Sequence, residues 1–171
     1  MQKITPFLWF DNQAEEAVNF YTSIFSAISG SASGGKNSKV GSVTRYDEAG
    51  SAAAGRPKGS VMTASFNLNG QEFVALNGGP HFKFNEAISL VVNCESQQEV
   101  DYYWEKLSAD PKAEMCGWLK DKFGLSWQIV PTILSKLLGD KDAKKSQRVM
   151  QAMLQMKKID IAGLEKAYNE K

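Results

Sequence analysis

The chain has 171 residues, of which 43% are hydrophobic and 23% charged, with a formal net charge of +1. That length suits one ample domain or two small modules sharing a core, and folding a chain of this size buries roughly 70% of its unfolded surface without staples. The near-neutral charge gives no electrostatic footprint for nucleic acid or anionic lipid.

The opening "MQKITPFLWF" has one lysine and a short alternating apolar run that contains Pro6. Neither a signal peptide nor a membrane span fits, so it reads as a strand of a cytoplasmic protein. In "DNQAEEAVNFYTSIF" that follows, Ala17, Phe20, Tyr21 and Ile24 recur at i, i+3, i+4 and i+7, the spacing of one buried helix face. Asp11 or Asn12 is placed to cap it. The stretch "GSASGGKN" nearly matches a phosphate-binding loop, but a helix precedes it and a strand follows, the reverse of what that motif needs. It reads as a flexible Gly/Ser loop.

"KVGSVTRYDE" and "SVMTASFNL" alternate as strands, and "NLNGQEFVALN" sets Asn69 and Gly70 between two apolar runs, a strong hairpin signal. Between the first two lies "EAGSAAAGRPKGS", which reads as a long mobile loop. The only histidine, His81, lies in the Gly and Pro-rich connection "NGGPHFKF", where one imidazole builds no His-based metal cluster or triad.

"AISLVVNC" reads as another strand, and "ESQQEVDYYWEKL" follows with Val100, Tyr103, Trp104 and Leu107 at the same four helical spacings, capped by Ser96 and Glu99. Each of these positions lies 83 residues after its counterpart in the first helix, the mark of an internal duplication. "EMCGWLKDKFG" then leads into "LSWQIVP". The first reads as a hairpin with a charged tip, or as a gate in which Trp118 and Phe123 flank basic residues and hold a small anionic or carbonyl-bearing ligand. In the second, Ser126, Gln128 and Val130 share one strand face while Trp127 and Ile129 share the other. Cys94 and Cys116 have no metal-ligand spacing and read as free thiols.

Beyond Pro131 the chain turns helical and basic, with nine Lys and Arg against five Asp and Glu over 132–171. "TILSKLL", "AKKSQRVMQAMLQMKK" and "DIAGLEKAY" read as helices docked on the sheet, the middle one through an apolar stripe of Val149, Met150, Met153, Leu154 and Met156.

The duplicated modules, "AEEAVNFYTSIF", "FVALNGGP" and "CGWLKDKFGLSWQIVPT" together resemble one family, the PhnB-like proteins labelled 3-demethylubiquinone-9 3-methyltransferase-like, of the glyoxalase/bleomycin resistance/dioxygenase (vicinal oxygen chelate) superfamily. The tail "RVMQAMLQMKKIDIAGLEKAY" is similar to that family's extension too. The resemblance implies an α+β fold, with two βαβββ modules at 1–80 and 81–131 forming curved sheets around a shared, largely apolar cavity, and a C-terminal helical extension at 132–171. It also implies a divalent metal acting as a Lewis acid, held by His, Glu or Gln from the first and last strand of each module. Gln128 falls at such a position. The other three fall near Thr5 or Phe7, near Ala87 or Ser89, and near Val74, Ala75 or Asn77, none of them a histidine or a carboxylate. No cofactor is evident, since one neutral amide is a poor site for such a cation.

The function expected is therefore binding of a small, largely apolar ligand. Gln128, Asn77 and Ser89 are expected to orient it by hydrogen bonds, and Trp9, Phe7 and Trp118 to give contact area. Two alternatives stand beside it: a superfamily enzyme (a metal-dependent lyase, isomerase or dioxygenase, or the methyltransferase of the label), and a structural or regulatory protein whose active surface is the helical tail. A homodimer formed through edge strands is expected, without nucleic acid or membrane partners.

Overall fold

A computed structural model of the chain describes residues 3–28 and 37–170. The loop "GSASGGK" thus lies outside the described residues. The chain divides into two compact units, Met1–Lys83 and Phe84–Lys171, so the C-terminal helices belong with the second. None of the described helices is long and apolar enough to cross a membrane.

In the first unit, β1 (Phe7–Phe10) leads to helix α1 (Ala14–Ala27), then β2 (Lys39–Arg45), α2 (Glu48–Ala54), β3 (Val61–Leu68) and β4 (Gln71–Asn77). The sheet order is β1-β4-β3-β2, with β1 parallel to β4 and the other pairs antiparallel. The expected helix face is the buried one, with Ala17, Tyr21 and Ile24 all sealed against the sheet. Tyr21 stacks on Phe66, which stacks in turn on Phe73, with ring centroids 6.1 and 5.3 Å apart. The β3–β4 turn has positive φ at both Asn69 (49°) and Gly70 (87°), the conformation that matches the twist of a two-residue hairpin.

Two local expectations are corrected. The stretch expected as a mobile loop contains α2: Asp47 caps it by accepting from the Gly50 N–H at 2.7 Å, the interior is rich in alanine, and Gly55 ends it in the left-handed conformation. Neither Asp11 nor Asn12 caps α1. Its cap residue is Gln13, which makes no side-chain cap bond, and the free Ala14 N–H instead donates to Asn77 Oδ1 at 2.8 Å.

The second unit runs β5 (Ser89–Cys94), α3 (Gln97–Leu107), β6 (Trp118–Lys120) and β7 (Ser126–Pro131), then α4 (Ile133–Leu138), α5 (Ala143–Met153) and α6 (Ile161–Asn169). Its sheet order is β5-β7-β6, with β5 parallel to β7. This repeats the parallel pairing of β1 with β4, and α3 begins 83 residues after α1, so the duplication is structural. The second module has one strand fewer than expected. "SADPKAE" carries the turn formers Ser108, Asp110 and Pro111, and the missing strand is reduced to a single bridge from Met115 to Trp118 around Cys116 and Gly117, whose φ values are 50° and 85°. Gly117 is required there, since a Cβ would press on the Ile129 carbonyl and the Ile159 side chain.

The tail is fastened to this module by specific bonds. Cys116 and Gly117 donate their N–H groups to the carbonyls of Met156 and Lys157, each at 2.8 Å. The Gln97 side chain donates to the Ile159 carbonyl at 3.1 Å and accepts from the Ile161 N–H at 2.9 Å. Beneath them, Leu134, Leu137, Val149, Ile159 and Leu164 form a small core packed against Val130. The apolar stripe of the middle helix divides. Val149, Met153 and Met156 join that core, whereas Met150, on the outer side of α5, and Leu154, just past its end at Met153, stay exposed.

Candidate functional site

Strand alternation in β7 sorts its side chains as the sequence implies. Trp127 and Ile129 are buried, and the Trp127 indole N–H donates to Asp121 Oδ2 at 2.8 Å. Asp121 also accepts from the N–H groups of Phe123 and Leu125, so the residue read as part of a charged tip is a buried organiser of the β6–β7 turn. The opposite face carries Ser126 and Gln128. Register sets Gln128 between Val91 of β5 and Trp118 of β6, and Ser126 between Ser89 and Lys120.

The Gln128 amide nitrogen donates to the Ser89 hydroxyl at 2.9 Å. Its carbonyl oxygen accepts no hydrogen bond among the described residues. Three of the expected site residues, Gln128, Ser89 and Trp118, therefore stand together on one face, where Val91 is 51% exposed and nothing from α3 covers them.

In the first unit, Phe7 and Trp9 share the sheet face turned away from α1, beside Val74 and Leu76. Phe7 is exposed. Trp9 is fixed, because its indole N–H donates to the Gly79 carbonyl at 2.9 Å and the Phe82 ring meets it edge-on at 5.0 Å. Gly78 makes room for it: a Cβ at that position would collide with the indole. Further along this face the hydroxyls of Thr44 and Thr63 meet at 2.7 Å and those of Ser42 and Ser65 at 3.1 Å.

Asn77 does not stand with these residues. It is buried on the helix side, where its carbonyl oxygen holds the Ala14 N–H, its nitrogen donates to the Val61 carbonyl at 3.1 Å, and its own backbone carbonyl accepts from Tyr46 at 2.7 Å. The amide is spent on structure. The donors left on the second unit's face, a neutral amide and a hydroxyl, do not fit a divalent cation, which favours carboxylate or imidazole ligands. Among the described residues no group of three or more His, Cys, Asp or Glu side chains lies close enough to hold one.

A cavity of about 580 Å³ opens beside Trp118 and is bounded by the 112–115 loop, by Lys120 and Ser126, and by tail residues 154–157. Lys120 pairs with Glu86, and that hydrogen-bonded ammonium holds the Glu86 carboxyl below its ordinary range. Ser126 shares the Gln128 face, a relation legible in the strand period. The tail's part in the wall has no counterpart in local pattern.

The family model described as 3-demethylubiquinone-9 3-methyltransferase matches residues 2–130. The chain belongs to this family. Its match ends at residue 130, so the helical tail, which the sequence reading joined to the resemblance, lies outside it. Among solved structures, the PhnB protein of Bacillus cereus, which carries the same methyltransferase description, is 39% identical over 77% of this chain and 100% of its own, with a TM-score of 0.58. Protein PA1353 from Pseudomonas aeruginosa is 16% identical over 77% of this chain and 98% of its own, with a TM-score of 0.52, a likeness of fold alone. No curated protein matches the chain.

Proposed function

We propose that this family member binds a small, largely apolar molecule on the sheet face that carries Gln128, Ser89 and Trp118. The observation that supports this reading is the Gln128 amide itself: it is oriented by Ser89 and set beside an indole, with its carbonyl oxygen directed to no protein donor among the described residues. A half-buried acceptor in apolar surroundings suits the hydroxyl or N–H of an aromatic ligand. Phe7 and Trp9 give the first unit an aromatic face of the same character.

The test is calorimetric titration with 2-naphthol. Gln128→Ala removes one polar contact, roughly 1–3 kcal/mol, which weakens binding by about 5 to 150-fold. An unchanged dissociation constant sinks the role of Gln128. The family's description supports a second reading, methyl transfer to a phenolic ligand, and saturable binding of S-adenosylmethionine would favour it. Near-stoichiometric metal retained through purification without chelator would instead favour a metal-dependent superfamily enzyme.

A further inference from the structure

The cavity beside Trp118 extends the Gln128 face past Ser126 and adds walls that face does not have. Its far wall, residues 154–157, comes from the tail beyond the family match, and its polar anchor is a different residue. Ser126 is 1% exposed, and its Oγ has no hydrogen-bond partner among the described residues, although it lines the cavity. A buried hydroxyl with nothing to bond is costly unless a ligand or water completes it.

Charge narrows the choice. The lining carries Lys112, Lys120 and Lys157 against Glu86 and Glu114. Lys120 is paired with Glu86. Lys157 is paired with Glu114 at 3.3 Å, and Glu114 also accepts from Ser108 at 2.7 Å. Lys112 has no ion pair among the described residues, which leaves the site one positive charge in excess. The remaining wall is largely apolar, with Trp118, Met115, Leu154 and Met156 beside one neutral amide, Gln155, and with Met115 and Leu154 exposed at 66% and 56%. Flexible methionines suit an unbranched chain.

We infer that this cavity binds an amphiphilic monocarboxylate, its head group accepting from the Ser126 hydroxyl and facing the lysines, its chain lying along Trp118, Met115 and Leu154. The inference goes beyond the binding reading above: the two share Trp118, but this one rests on Ser126, the lysines and the tail residues.

The experiment is calorimetric titration of the full chain with decanoate below its micelle concentration, beside decylamine as the head-group control. Decanoate binds and decylamine binds at least about tenfold more weakly, the discrimination expected of a charge-assisted hydrogen bond. Ser126→Ala weakens decanoate by about tenfold or more, yet leaves the unfolding temperature of the unliganded protein equal or higher, because an unsatisfied hydroxyl has been removed. A hydroxyl with a merely structural role would lower that temperature. Leu154→Asp, at an exposed position that folding tolerates, weakens decanoate and not 2-naphthol. The inference is overturned if decanoate does not bind, if decylamine binds equally well, or if Ser126→Ala and Leu154→Asp bind decanoate like the parent. Loss of decanoate in Gln128→Ala with retention in Ser126→Ala places it at Gln128 and not at Ser126, and also overturns it.

Discussion

Replacing Asn77 by alanine strips the first turn of α1 of its hydrogen-bond acceptor. In the parent, Asn77 is 7% exposed, its Oδ1 accepts from the Ala14 N–H at 2.8 Å and its Nδ2 donates to the Val61 carbonyl at 3.1 Å. Truncation leaves a buried N–H with no partner and weakens a second buried group, and each such loss costs about 1–3 kcal/mol. The sum, about 2–6 kcal/mol, is a large part of the 5–15 kcal/mol or so that a domain has in total. With a urea dependence of about 2 kcal/mol per molar, the unfolding midpoint should fall by about 1–3 M. Urea titration followed by far-ultraviolet circular dichroism reads this directly, with exposed Asn93→Ala as a control expected to stay within about 0.5 kcal/mol. Asn77→Asp keeps the acceptor at a helix N-terminus but sets a carboxylate oxygen against the Val61 carbonyl, so it should fall between parent and alanine. An Asn77→Ala protein as stable as the control would refute the capping argument and return Asn77 to the list of candidate ligand contacts.

The hydrogen bond from Tyr168 to Asp140, 2.6 Å long, holds the Asp140 carboxyl below its ordinary range. A lowered carboxyl stabilises the fold above its unfolded value, and the gain is lost as pH falls through the folded one. Tyr168→Phe should therefore be less stable than the parent near neutrality and converge with it on strong acidification; a difference independent of pH would count against the bond. Cys94 is sealed, and burial, with a smaller contribution from nearby Glu99, pushes its thiol up from 9.0 to about 12, whereas Cys116 is half-buried. A disulfide reagent at mildly alkaline pH should label one thiol quickly and the second only after unfolding, and Cys94's share of stability, present below pH 9.0, should decline as pH rises towards 12. Two fast thiols would contradict this burial. Strand β2 is an exposed edge carrying Val40 and Val43, which suits pairing with a second copy. Light scattering at micromolar concentration should give a dimer mass, and a monomer mass would reject that pairing.

The sequence by itself determined what depends on neighbours along the chain. The faces of α1 and α3, the Asn69–Gly70 turn and the inward and outward sides of β7 all follow from periods of 3.6 and 2, which are local geometry. The 83-residue offset made the duplication visible for the same reason. Even α2 had its signals, an aspartate cap, alanines and a closing glycine, hidden by the reading of a Gly and Ser-rich stretch as loop. What the tertiary structure alone decided is non-local. Asn77 reaches Ala14 across 63 positions, and Gln97 reaches Ile159 and Ile161 across more than 60. No sequence period encodes such partners, because they depend on how strands register and where a tail docks. The same holds for the cavity, where Ser126 meets residues 154–157 only because the carbonyls of Met156 and Lys157 satisfy the turn that replaced a missing strand.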